Sequence, residues 1–210
     1  AYEIPKRDWS SDVCSSDLDP GVATLLYLCS SKFVARHEID FVRRWIAAIR
    51  SSSDPALRRA NIIVRPHPDI PLIDDDNPET VEWSELPRAQ GWVSRPFADD
   101  RAIVLRTTYA TQQAFFECLY HSAASVGLNT SAELEAGIVG RPVFTVVADD
   151  HAVTGQASTL HFHYLLKENG GFVESASDLA THIQQLEATL WPVARGLQAA
   201  REPSIHAFVR

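Results

Sequence analysis

What most constrains the fold of this chain is an alternation. Short apolar runs of four to seven residues recur, separated by stretches with helical periodicity. Thr24–Ser30 (TLLYLCS) reads as a buried strand, apolar on both faces. Glu38–Arg50 follows as a helix, with Val42, Trp45, Ile46 and Ile49 on one face and Arg43, Arg44 and Arg50 off it. Ser51–Pro55 reads as a turn. Asn61–Arg65 (NIIVR) is a second strand, ended by Pro66-His67-Pro68, because two prolines cannot continue a hydrogen-bonded ladder. Ala102–Leu105 is a further strand candidate, and Thr111–Tyr120 is a helix. Ala124–Leu128 is a short buried run, and Ala132–Val139 reads as a helix with Gly140 in the stop position. Pro142–Val147 is the clearest strand. Leu160–Lys167 reads as helix, and Gly170-Gly171 interrupts it. Ser177–Leu190 is amphipathic, with Leu179, Ile183, Leu186 and Leu190 in one stripe and Asp178 in its dipole-favoured first turn. Strands apolar on both faces and alternating with helices belong to a parallel sheet covered on both sides. The expected fold is therefore α/β, a doubly wound, Rossmann-like parallel sheet.

The lead of the chain stands outside that pattern. Asp8–Leu18 reads DWSSDVCSSDL, a Ser/Asp-rich stretch with no helical or strand period. It is similar to the conceptual translation of a short-read sequencing adapter, residue for residue, and is set aside from the fold argument as a scar would be. A genuine Ser/Asp-rich loop is the alternative. The expected organisation is a non-native or disordered lead over residues 1–23, one Rossmann-like domain over 24–190, and a truncated C-terminal segment over 191–210. The chain neither starts with nor contains Met, which fits an internal fragment or a trimmed chain.

Composition narrows the function classes. With 45% apolar and 22% charged residues over 210 positions, the chain is globular and long enough to bury a substantial core. No apolar run approaches the roughly 18 residues of a membrane span, and no signal peptide is visible. The net charge is −8, of which three charges belong to Asp8, Asp12 and Asp17 of the suspect segment. An acidic balance argues against nucleic acid as a partner. Cys14 lies in the suspect segment, and Cys29 and Cys118 sit in apolar patterns as core thiols, which fits a reducing cytoplasmic setting. Asp69–Arg88 is an acidic, proline-rich excursion. It lacks the EF-hand spacing and reads as a solvated loop rather than a calcium site.

Three segments carry candidate chemistry. In Ser125–Thr145 a buried strand ends in Asn129-Thr130-Ser131 and a helix begins at once. Ligands of open α/β sheets bind at carboxyl ends of strands, where helix N-termini offer amides to phosphate. Thr130 and Ser131 hydroxyls would add donors, and Glu135, four residues past Ser131, could accept from ribose hydroxyls. Equally, Asn129, Thr130 and Ser131 could merely cap the helix, with Glu135 on the surface. The second candidate is Arg65-Pro66-His67-Pro68, where Arg65 offers a planar cationic fork and the prolines stiffen the loop presenting His67. The third is His161-Phe162-His163. Residues two apart on a helix diverge by about 200°, which is poor for joint metal ligation, so no metal is expected and His161 is read as lining a phosphate pocket. No G-x-S-x-G, G-x-x-x-x-G-K-[ST] or G-x-G-x-x-G motif occurs.

Taken together, Leu26–Ser30, Ile62–Pro68 (IIVRPHP) and Ser125–Val143 (SVGLNTSAELEAGIVGRPV) resemble the C-terminal nucleotide-binding half of GT-B glycosyltransferases. The likeness is nearest to the bacterial surface-polysaccharide type and to CDP-glycerol glycerophosphotransferases, with UDP-N-acetylglucosamine 2-epimerases similar in architecture. It covers about Thr24 to Leu190. It implies that Arg65 and His67 lie beside the diphosphate or the transferred group, His67 being the one candidate for a catalytic role. It implies further that Thr130 and Ser131 hold phosphate, that Glu135 binds ribose, that Gly140 and Pro142 shape the turn into the next strand, and that His161 is a pocket residue by position. The implied partner is a nucleoside diphosphate sugar, with no cofactor and no metal. A separate N-terminal Rossmann-like domain would supply the acceptor site. The implied location is cytoplasmic, with peripheral attachment to the inner membrane face left open. One departure stands out: Asn129-Thr130 and Ala132-Glu133 replace the glycine pair of the epimerase turn. The alternatives are a CDP-dependent polyol-phosphate transferase and a non-catalytic, flavodoxin-like binding module.

Overall fold

A computed structural model describes residues 21–31, 33–35, 38–67, 93–94, 99–105, 112–147 and 159–194. The adapter-like segment, the acidic excursion Asp69–Arg88 and the C-terminal segment beyond residue 194 lie outside the described residues. In chain order the elements are β1 (Thr24–Leu28), α1 (Glu38–Arg50), α2 (Pro55–Arg59), β2 (Asn61–Arg65), β3 (Val93–Ser94), β4 (Ala102–Leu105), α3 (Gln112–His121), β5 (Ala124–Gly127), α4 (Ala132–Ile138), β6 (Val143–Val146), α5 (Leu160–Leu165), β7 (Val173–Ala176) and α6 (Leu179–Ala194). A single 3-10 turn, Lys167–Asn169, follows α5.

The strands form one sheet in the order β3-β4-β2-β1-β5-β6-β7. Every neighbouring pair is parallel except β3 with β4. The expected doubly wound parallel sheet is therefore present, with one two-residue antiparallel strand on its edge. From β1 the chain steps outward to β2 and β4. It then returns to the other side of β1 with β5 and continues to β6 and β7. The sheet order thus reverses between β1 and β5. In register, Tyr27 lies opposite Val126 and Leu28 opposite Gly127.

Alternation along each strand divides the interior into two cores. Leu25, Tyr27, Ile62, Val64, Val104, Val126, Phe144 and Val146 face α1, α2 and α6, meeting Trp45, Ile49, Leu57, Leu186 and Leu190. Leu26, Leu28, Ile63, Ile103, Val143 and Val173 face α3, α4 and α5, meeting Phe115, Leu119, Ala136, Phe162 and Leu165. Trp45 anchors the first core. It is fully buried, its ring lies 5.2 Å from that of Tyr27, and its Nε1 donates to His182 Nε2 at 3.0 Å. Removing an aromatic of this size from a core costs about 3–5 kcal/mol.

The structure differs from the sequence reading at several places, among them the unexpected short edge strand β3. Residues 55–59 form a helical turn, where Asp54 accepts from the amides of Ala56 and Leu57 and Pro55 opens the first turn. A strand, β7, follows Gly171, where Val173–Ala176 pairs with β6 despite two polar residues in four. The helix after Thr159 ends at Leu165, because Leu166 turns to extended backbone before the 3-10 turn. Gly140 is the expected helix stop: its φ is +78°, and the Arg141 amide reaches back to the Ala136 carbonyl.

Candidate functional site

In a parallel sheet all strands point the same way, so one edge collects all their carboxyl ends. In open sheets of this kind ligands bind outside that edge where the strand order reverses, here between β1 and β5. Residues after β1 (Ser30), after β2 (Pro66, His67) and after β5 (Asn129, Thr130) stand around that reversal, as does Arg65, which closes β2.

Arg65 follows the strand alternation to the α3 side of the sheet. Its guanidinium carbon lies 3.7 Å from the centre of the Phe115 ring on α3, a close cation–π contact. Burial pulls its basicity down, and the Glu135 carboxylate on α4 works against that. The structure therefore brings together two residues singled out from different segments, Arg65 and Glu135. It adds a third, Phe115, that nothing local in the sequence marked. His67 stands half-buried two residues beyond Arg65.

The β5–α4 turn is built more tightly than its sequence suggests. Asn129 adopts a left-handed backbone, φ +84°, which asparagine tolerates better than most residues. Its side-chain amide donates to the Thr159 hydroxyl at 2.7 Å, tying this turn to the start of α5. Thr130 is buried, and its amide donates to Glu133 Oε2 at 3.0 Å. The Asn129 amide also favours the charged form of Glu133. Thr130 and Glu133 stand in the S/T-x-x-E spacing of a capping box, and the carboxylate returns to the start of its own helix. That spacing was readable in the sequence, where Ser131 and Glu135 drew attention instead. Two turn amides that an anion could use are thus engaged by an internal carboxylate. Ser131 is exposed, and its hydroxyl makes no capping bond. His161 is exposed on the first turn of α5. His163 contacts Asn169 on the 3-10 turn that follows α5.

Glu38 was not a sequence candidate. It opens α1 and is buried, accepting from the Ser30 amide at 2.8 Å and the Tyr27 hydroxyl at 3.1 Å. The one signal for it was Tyr27 itself, since a tyrosine in a fully buried strand needs a hydrogen-bond partner. Burial pushes the carboxyls of both Glu38 and Glu133 from an ordinary 4.5 up to about 8, against the pull of the amides that donate to them. Burial and the neighbouring Glu38 also push the Cys29 thiol up, with Arg65 opposing. Cys29 and Cys118 are both buried thiols outside any disulfide, as core thiols should be. Among the described residues no group of three or more His, Cys, Asp and Glu side chains could hold a metal ion, and no helix is long and apolar enough to cross a membrane.

No protein-family model matches the chain, and no curated protein matches it in sequence. Solved structures similar to it include the wall teichoic acid polymerase TagF, at 14% identity and TM-score 0.48, covering 91% of this chain and 39% of that one. Another is a structure concerned with EarP-mediated arginine glycosylation of translation elongation factor EF-P, at 12% identity and TM-score 0.39, covering 92% and 61%. A mutant O-GlcNAc transferase of Thermobaculum terrenum is similar at 17% identity and TM-score 0.39, covering 94% and 37%. The chain spans less than two thirds of each of these structures. Its fold assignment stands on the sheet order and register rather than on likenesses of this size.

Proposed function

We propose that this chain binds a nucleoside diphosphate sugar at the carboxyl edge of its sheet. In this reading it is the donor-binding domain of a glycosyltransferase acting in surface-polysaccharide synthesis, with the acceptor site on a second Rossmann-like domain. One observation carries the reading. The sheet order reverses between β1 and β5, and Arg65, His67, Asn129, Thr130, Ser131 and Glu135 stand at the strand ends beside that reversal or on the helix leaving it. The motif resemblance of IIVRPHP and SAELEAGIVGRPV supports the same assignment.

In this reading Arg65 supplies the cation for the leaving diphosphate. Phe115 beneath it and Glu135 beside it hold the guanidinium before substrate arrives, so little reorganisation is needed as charge develops. Glu135 is exposed and free to accept from ribose hydroxyls, and the exposed Ser131 hydroxyl is the donor on offer at the β5–α4 turn. His67 and His161 complete the rim, His67 being the one placed to touch the transferred group. With Arg65 as the cation, a divalent metal is not required.

Calorimetric titration of the folded protein with UDP, GDP, CDP and ADP, with and without Mg²⁺, tests the proposal. Binding of at least one nucleotide without metal is expected, weakened about tenfold or more by Arg65→Ala (about 1.4 kcal/mol) and less by Ser131→Ala. A folded protein that binds none of the four refutes it. Selective binding of CDP, with a phosphorus-containing product on assay, moves the assignment to a polyol-phosphate transferase.

A further inference from the structure

The interruption after α5 carries a chemistry that the nucleotide reading does not use. Among Asn61, Asn77, Asn129 and Asn169, the asparagines of the chain, only Asn169 precedes a glycine. Asn169 closes the 3-10 turn Lys167–Asn169 and is exposed, as is Gly170. Its side-chain nitrogen donates to the His163 carbonyl at 3.0 Å and lies 3.3 Å from His163 Nδ1. That clasp ties the turn back to the last turn of α5. Gly170 has φ +91°, and beyond its chain neighbours no heavy atom stands within 4 Å of the place a Cβ would take. After it the chain is fixed again, because the Gly171 and Phe172 amides return to the Leu166 and Leu165 carbonyls, both at 2.9 Å.

The backbone nitrogen of the next residue can attack an asparagine side chain. Glycine makes that nitrogen most accessible, since it has no Cβ to crowd the approach and the widest choice of backbone angles. Two bonds stand in the way here. The Gly170 amide donates to the Lys167 carbonyl at 3.1 Å, and the Asn169 side chain is held by His163. Both belong to one exposed 3-10 turn, an element of poor hydrogen-bond geometry that opens at little cost. The buried residues of α5, Phe162 and Leu165, are not part of it.

We propose that Asn169 is a site of spontaneous deamidation, gated by the opening of this turn. The Gly170 nitrogen gives its proton to solvent and bonds to Asn169 Cγ. The bond from Cγ to Nδ2 breaks, and Nδ2 takes a proton from water and leaves as ammonia, which gives a cyclic imide. Water then opens the imide at one or other carbonyl, to aspartate or to isoaspartate. Nothing is oxidised or reduced, and water is the one co-reactant. Either product is a carboxylate, which has no proton to donate to the His163 carbonyl. The clasp is then lost irreversibly. Isoaspartate also lengthens the backbone just before Gly171, which is packed too tightly against the Leu165 and Tyr164 carbonyls to absorb the change.

Peptide mapping by mass spectrometry of the full chain, aged at neutral and at mildly alkaline pH, tests this. Asn169 should convert ahead of Asn61, Asn77 and Asn129. Its peptide should gain the mass of an amide-to-acid change and split into aspartyl and isoaspartyl forms, the latter in excess. The rate should rise with pH, because the attacking nitrogen must lose its proton. It should be severalfold higher in urea, where the turn is open. Gly170→Ala has room for its Cβ and should slow conversion severalfold. If that variant does not fold, the two rates are compared in urea, where no fold is needed. In Asn169→Asp, exchange of the Gly170 amide should be severalfold faster than in the wild type. Aspartate as the sole product, equal rates for the folded chain and the chain in urea, an undiminished rate in Gly170→Ala, or unchanged exchange in Asn169→Asp would each overturn the proposal.

Discussion

Acidification below neutral pH should unfasten α6 from α1 through a single side chain, His182. The ring is fully buried, and its Nε2 accepts the Trp45 indole N–H at 3.0 Å. The proton of the neutral ring must then sit on Nδ1, which makes no well-formed hydrogen bond and has Gln185 as its polar neighbour. A second proton could only enter at Nε2, facing a donor, in a site packed edge-on against Phe144. Burial accordingly pulls the ring from an ordinary 6.5 down to about 4, with Gln185 weakly opposing. The sign follows directly. Between those values the unfolded chain takes up a proton that the folded chain refuses, so stability is complete above about 6.5 and falls as pH drops toward 4. A difference of that size corresponds to about 3 kcal/mol lost at pH 4. Urea denaturation of the wild type and of His182→Gln at pH 7.5, 6, 5 and 4 measures it. Glutamine can still accept from the indole but does not titrate. Subtracting the two curves also removes the opposing contribution of Glu38 and Glu133, whose raised values make stability fall as pH rises from 4.5 toward 8. The wild-type-minus-variant difference should therefore shrink by about 3 kcal/mol between pH 7.5 and 4. A difference that stays flat with pH would show that the ring takes its proton as readily folded as unfolded, and the reasoning would be refuted.

Three further outcomes follow from the same geometry. Gly171→Ala should lower the melting temperature sharply or prevent folding, because a Cβ there would overlap the Leu165 and Tyr164 backbone carbonyls, which cannot swing aside; a melt unchanged within 2–3 °C (about 1 kcal/mol) would contradict it. Gly127→Ala should cost about 1–3 kcal/mol by pressing on Glu133 Oε1. The Gly127→Ala, Glu133→Ala double variant should then be more stable than the sum of the single effects in a double-mutant cycle. Arg50→Ala should cost about 2 kcal/mol by chemical denaturation, and Arg50→Lys should recover little of it. The guanidinium binds Asp99 through Nε at 2.6 Å and also holds the carbonyls of Arg58 and Ala60 at 3.1 and 2.8 Å, a fork that an ammonium cannot match.

The sequence alone determined the elements whose signal is a local period. Glu38–Arg50 appears with the bounds that its periodicity set, and Val42, Trp45, Ile46 and Ile49 are its buried face. The double-sided apolar runs at Thr24, Asn61, Ala124 and Val143 became the central parallel strands, because burial on both faces leaves no other use for them. Placing Arg65, His67 and Asn129–Ser131 on one edge also followed from sequence, since parallel strands share a direction. Elements with weak periods were not legible. Val173–Ala176 is half polar and needed β6 beside it to become a strand. Val93–Ser94 is two residues long and exists as a strand only through its pairing with β4.

Tertiary structure decided everything that depends on contact across the chain. That β5 returns to pair with β1, and so places the reversal of strand order there, is a matter of sheet order that no local window contains. Residue 182 fell on the buried stripe of α6, but only Trp45, 137 positions away, gives the ring a reason to be there. Arg65 and Glu135 were read as separate ligand contacts, and the packing of α3 and α4 makes them act on one another. Nothing local in the sequence marks Glu38 or Glu133 as buried, and the packing of the helices against the sheet encloses each of them and pushes its carboxyl up to about 8. Periodicity is a property of neighbours along the chain, whereas desolvation and charge coupling belong to neighbours in space, which the sequence leaves open until the sheet closes.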